Sequence, residues 1–220
     1  MDLAERWVMV LGVIRMLDAD HLRLVQILSP AFPIGSFAYS QGLETAIHDN
    51  LVWDAGSLKN WISAVLEHGS GRSDAILLAH ARAGDVDYLS DLALSLSPSM
   101  ERSLETIEQG RAFGSLTNLA KSYPLPIAVG LATRDLQVDT QTVLTLWLQG
   151  LAGQLVSVGV RFIPLGQTAG QEVLAALAEP LLQIATEAAT APLSAIHSTA
   201  LGADMATMMH EVQEVRIYRT

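Results

Sequence analysis

Between Thr140 and Val160 the chain carries no charged residue, and no other feature of the sequence constrains the fold as tightly. An apolar run of that length either crosses a bilayer or is buried among other helices. Here it is interrupted by Thr140, Gln141, Thr142, Thr145, Gln149, Gln154 and Ser157 and by three glycines, and no cluster of Lys or Arg flanks it. Those features favour a buried helix. The rest of the composition agrees: 50 % of the residues are hydrophobic and 16 % charged, against roughly 25 % charged in an average soluble domain. Disorder is excluded for most of the length. At 220 residues the chain suits one sizeable domain, or two small ones sharing a core.

The net charge of −10 argues against a nucleic-acid binder, which needs a basic face to meet phosphates. With no cysteine there is no disulfide framework, zinc knuckle, thiol nucleophile or iron–sulfur cluster. Trp7–Ile14 imitates a short signal-peptide core, but Asp2 and Glu5 precede it, Arg15 follows, and no small-residue cleavage site is evident. Residues 1–17 are therefore expected to be a loosely held N-terminal extension, and the protein to be cytoplasmic and free of membrane.

Apolar residues elsewhere recur with the period of a helix. Ser57 is expected to cap a helix with Leu58, Trp61, Ile62, Val65 and Leu66 on one stripe, stopping at Gly69-Ser70-Gly71. A second runs from about Ser73 to Ala83 and ends at Gly84. Ser97-Pro98 opens a third, on which Met100, Leu104 and Ile107 are expected to face the core, with Phe113, Leu116 and Leu119 further along. The like-charge pair Glu101 and Glu105 is expected on its solvated side. Pro124-Leu125-Pro126 ends it. The long uncharged helix starts at Asp139 or Thr140 and ends at Pro164, the next begins at Thr168, and Pro180 kinks or breaks that one. Only Val158–Ile163 and Val215–Tyr218 alternate like strands. The expectation is an all-α, single-domain bundle of about eight to ten helices, with residues 18–209 as its body.

Candidate catalytic motifs fail on spacing or context. Ala38-Tyr39-Ser40-Gln41-Gly42 lacks the first glycine of a nucleophile elbow and has no strand before it. Gly69-Ser70-Gly71-Arg72-Ser73 lacks the spacing and lysine of a phosphate-binding loop. Among His21, His48, His68, His80, His197 and His210 none pairs at i,i+4 as metal-binding helices require. No catalytic, cofactor or metal residue is therefore assigned, although a metal site shared between subunits stays open. The segment Ser29–Glu44 stands out instead, with two prolines, two glycines and three aromatics. Prolines order such a loop at low entropic cost, and its aromatics are either pins into the core or anchors at an interface.

That segment resembles the signature of the UreF family of urease accessory proteins, carried here by Pro33, Gly35, Phe37, Tyr39, Ser40, Gly42, Leu43 and Glu44. The resemblance continues in Glu108-Gln109-Gly110-Arg111, in Tyr123-Pro124 with Gly130, in Arg161 through Gly166-Gln167 to Gln171, and in a tail of His210, Glu211, Gln213, Arg216, Tyr218 and Arg219. It departs at Met209, where the family often has arginine, at Gly159, where alanine is common, and at the final Thr220. The family implies an all-α homodimer that is not an enzyme. It implies a scaffold joining UreD (also called UreH) to the GTPase UreG, and through them apo-urease, for nickel insertion. Nickel and GTP would then belong to the client and the partner, and an effect on the UreG GTPase cycle is left open. The partner-binding candidates implied are Pro33, Gly35, Phe37, Tyr39, Ser40, Gly42, Glu44, Arg161, Gln167, Gln171, His210, Glu211, Arg216, Tyr218 and Arg219. Residues 210–220 hold too few apolar side chains to bury themselves and are expected to order on a partner. Two other readings are kept: a general helical adaptor, and an enzyme in which Glu44, Glu108 and Arg161 converge on one pocket.

Overall fold

The computed structural model describes residues 18–84 and 86–220. Within them the chain is helical, with no strand: α1 (Ala19–Ile27), α2 (Leu43–His48), α3 (Ala55–His68), α4 (Ser70–Ala81), α5 (Val86–Ser95), α6 (Met100–Leu116), α7 (Leu125–Ala132), α8 (Thr140–Phe162), α9 (Gly166–Ala176), α10 (Ala178–Ala188) and α11 (Leu201–His210). The fold is all-α, as the periodicity implies. The N-terminal extension and its Trp7–Ile14 run lie outside the described residues.

Helix starts follow local capping chemistry. Asp54, rather than Ser57, is the N-cap of α3; its carboxylate accepts the Ser57 amide at 2.7 Å, and Ser57 Oγ accepts the Asp54 amide in return. This reciprocal box satisfies two of the amides every helix start leaves unpaired. Ser99 caps α6 by accepting the Arg102 amide and Asp139 caps α8 by accepting the Thr142 amide. Pro180 marks a break, as expected: it has no amide hydrogen to give the Ala176 carbonyl. The chain bends at Leu177, and the proline falls in the first turn of α10, where no amide hydrogen is needed.

The uncharged α8 is long and apolar enough to cross a bilayer by composition. Its Val143, Leu144, Leu148, Ala152, Leu155, Val156 and Val158 are instead buried against α2, α3, α4, α9 and α10. Both strand candidates fail for identifiable reasons. Val158–Phe162 completes α8, and Val215–Tyr218 has no neighbouring strand. Gly110 lets α6 touch the segment before α7: a Cβ there would lie 1.9 Å from the Tyr123 carbonyl oxygen. The Gln109-Gly110 and Tyr123-Pro124 motifs are thus two sides of one contact.

One face is inverted relative to expectation. Met100, Leu104 and Ile107 of α6 are exposed, while Arg102, Glu105, Thr106, Gln109 and Gly110 are buried. The cause is tertiary. A loop and the chain's last residues supply enough polar partners to the charged side of α6 to hold it inside.

Candidate functional site

The Ser29–Glu44 loop is rigid because its own backbone closes it. Ser29 Oγ accepts the Ala31 amide at 3.1 Å, Phe32 N–H reaches Ser29 O at 2.9 Å, and a single 3₁₀ turn spans Ser36–Ala38. Gly42, at φ +78°, turns the chain into α2, and a Cβ on it would sit 2.8 Å from the Thr207 amide nitrogen. Glycine is required there on both counts. The loop's aromatics divide between the two roles left open above. Phe32 packs on Phe113 with ring centroids 5.5 Å apart, Tyr39 is buried, and Phe37 is 79 % exposed.

The C-terminal residues do not hang free. Arg219 N–H donates to Ala38 O and Ser40 N–H to Thr220 O, each at 2.8 Å, and Ser40 Oγ donates to the same Thr220 oxygen. Glu44, buried, accepts the amides of Ile217 at 2.8 Å and Tyr218 at 2.9 Å. The His210 ring lies between two carboxylates, with Nε2 3.2 Å from Glu44 and Nδ1 2.7 Å from Glu101, and Arg216 closes on the other oxygen of Glu101. Glu211 Oε1 accepts the amides of Met100 and Glu101, so the tail also caps the start of α6. The expectation that residues 210–220 cannot bury themselves is therefore corrected. His210, Tyr218 and Thr220 are buried on this chain, while Val212, Val215 and Ile217 point outward.

A second layer lies beside it. Tyr39 Oη donates to Glu108 at 2.7 Å; Arg219 bonds Glu108 and stands over the Tyr39 ring, 5.4 Å from its centroid. The Tyr39 hydrogen bond, with Arg219 second, holds the Glu108 carboxyl below its ordinary range. Burial, with the Glu108 carboxylate second, pushes the Tyr39 hydroxyl well above its own. Beneath, Glu105 accepts from Gln41, Gln109 and Thr220 and pairs with Arg102, which donates to Asp74 at 2.7 Å. Burial raises the Asp74 carboxyl despite that arginine. On the far side Arg161 lies 5.9 Å from the Tyr218 ring centroid and Phe162 packs on it at 5.6 Å.

Of the residues singled out from the sequence, Tyr39, Ser40, Gly42, Glu44, Arg161, His210, Glu211, Arg216, Tyr218 and Arg219 converge on this one junction. Pro33, Gly35 and Phe37 sit at the outer turn of the loop, and Gln167 and Gln171 lie apart on the exposed side of α9. Sequence reading missed Gln41, Asp74, Glu101, Arg102 and Glu105. The available signal was the Glu108-Gln109-Gly110 motif, which marks the same side of α6. Glu44, Glu108 and Arg161 spend their contacts on the tail rather than converging on a pocket. Among the described residues no group of three or more His, Cys, Asp or Glu is placed to hold a metal ion.

Fold and site together define an all-α protein in which buried Glu44 and Glu105 hold the chain's own C-terminal segment against a rigid loop. The sequence profile of the UreF family matches residues 52–178. The chain is 52 % identical over 210 residues to a urease accessory protein UreF of Cereibacter sphaeroides (strain KD131), covering 93 % of this chain and all of that one. The corresponding protein of Dinoroseobacter shibae is 45 % identical, with 92 % of this chain and 99 % of that one covered. That of a Bradyrhizobium species is 40 % identical, with 93 % and 95 % covered. This chain belongs to the UreF family of urease accessory proteins.

Proposed function

We propose that the protein is a non-enzymatic cytoplasmic scaffold for urease maturation, a homodimer that joins UreD to UreG while nickel is inserted into apo-urease. The observation that carries this reading is an apolar face beside the tail junction. On α11, Leu201, Met205, Met208 and Met209 are exposed in sequence with Val212, at the i, i+4, i+7, i+8 and i+11 spacing of one helical stripe. Met100, Leu104 and Ile107 of α6, a helix that packs against α11, and Val215 and Ile217 of the tail are exposed as well. Apolar surface gathered this way marks a protein–protein contact. The junction fixes the tail so that Val215 and Ile217 face outward with α11, which supports assigning this face to UreD. Nickel and GTP, in this reading, are held by the client and by UreG.

Co-purification of the whole chain with UreD and UreG tests it. Val215→Asp with Ile217→Asp changes only exposed positions, so the melting temperature should stay within a few degrees while UreD capture is lost and UreG recruitment with it. Normal capture by that variant would overturn the assignment. Light scattering of the chain alone should return about twice 23.6 kDa.

A further inference from the structure

Every methionine among the described residues lies on that one face. Met100 is 67 % exposed, Met205 58 %, and Met208 and Met209 48 % each, while the core is built of Leu, Ile, Val, Ala and aromatics. Met205, Met208 and Met209 share the outer side of α11, whose inner side is Ala203, Ala206, Thr207 and His210. Met100 is brought beside the end of α11 by its amide, which donates to Glu211 at 2.7 Å. Small residues thus face inward on α11 and long thioethers outward, the reverse of a helix whose purpose is to fill a core. A thioether adapts to varied apolar partners, and it is also the side chain most readily converted from apolar to polar by oxygen transfer.

We propose that Met100, Met205, Met208 and Met209 form a peroxide-sensitive modification site that switches this face from apolar to polar. Each sulfur attacks one oxygen of hydrogen peroxide. An S–O bond forms as the O–O bond breaks, sulfur loses two electrons, and the departing hydroxide takes the proton of the new S–OH to leave sulfoxide and water. No metal or cofactor is needed. The consequence for assembly rests on the assignment of this face to UreD; the chemistry does not.

Hydrogen peroxide applied to the purified full chain, followed by peptide mass spectrometry, tests it. The expected result is one added oxygen at each of the four methionines with the helical circular dichroism unchanged, weaker retention on a hydrophobic column, and loss of UreD capture. Methionine sulfoxide reductase should restore all of these. A variant with all four replaced by leucine should show the same column retention and the same UreD capture after peroxide as before it, and prebound UreD should slow oxidation at Met205, Met208 and Met209. The proposal is overturned if the folded protein resists oxidation at these positions, or if the leucine variant loses UreD capture after peroxide as the parent does. If the unoxidised parent never captures UreD, the partner assignment fails, while sulfoxide formation and the change in retention still decide the modification.

Discussion

Tyr39, Glu108 and Arg219 show how a buried hydroxyl and two partly exposed charges can set the pH range over which a segment stays in place. The Tyr39 hydroxyl donates to Glu108, and Arg219 bonds both. Because these contacts favour the carboxylate, the Glu108 pKa lies below its ordinary value of 4.5 in the folded chain. A depressed carboxyl contributes stability that is present above its unfolded value and is lost as pH falls through the folded one. The Arg219 amide, which donates to Ala38 O beside this cluster, should therefore keep full protection from hydrogen exchange at pH 5 and lose it only below 4.5. Tyr39→Phe removes the largest of the lowering contacts, so the loss should move up toward 4.5 while the global melting temperature falls slightly. An unmoved midpoint in Tyr39→Phe would show that the hydroxyl does not hold the carboxylate.

At the scale of elements, α6 is the informative case. Its sequence pattern points Met100, Leu104 and Ile107 to the core, yet Arg102, Glu105, Thr106 and Gln109 are the side that is buried. Burying a carboxylate costs several kcal/mol unless each oxygen is matched. Glu105 meets that condition through Gln41, Gln109, Thr220 and Arg102. Opposite substitutions on the two faces measure the choice. Leu104→Lys should change stability by no more than ~0.5 kcal/mol, as at other surface positions. Glu105→Ala removes the acceptor of Gln41 and Gln109, leaves Arg102 with Asp74 alone, and should cost about 3–5 kcal/mol. Urea unfolding of both variants reads the difference, and the reverse order would put the apolar stripe back in the core.

At the scale of the whole molecule, two systems of contacts meet at α2. The apolar core joins α3, α4, α7, α8, α9 and α10 and draws only Tyr218 from the tail. The polar junction joins the loop, α2, α6, α11 and the tail through Glu44, Glu101, Glu105, Glu108 and His210. Removing residues 211–220 should thus leave a cooperatively melting helical bundle, followed by circular dichroism. Its melting temperature should fall by several degrees, because Glu44, Ser40 and Glu105 each lose partners inside the protein. A truncated chain with an unchanged melting temperature would mean that the junction contributes nothing to stability.

The sequence by itself determined what depends on neighbours along the chain. The helical class follows from the 3.6-residue spacing in α3 and α8, and the stops follow from Gly69 and Pro164. The loop that orders the site is visible in its prolines, glycines and aromatics, and the family resemblance located ten residues that meet at one junction. Only the tertiary structure decided which face of α6 is inside, and that Phe32 and Tyr39 turn inward while Phe37 turns out. It also decided that the tail lies on its own chain. The reason is physical. A buried Glu105 or Glu44 is tolerable only when amides and cations from residues far along the chain arrive within hydrogen-bond distance, as Ile217 and Tyr218 do for Glu44. No local pattern records which distant partner will arrive.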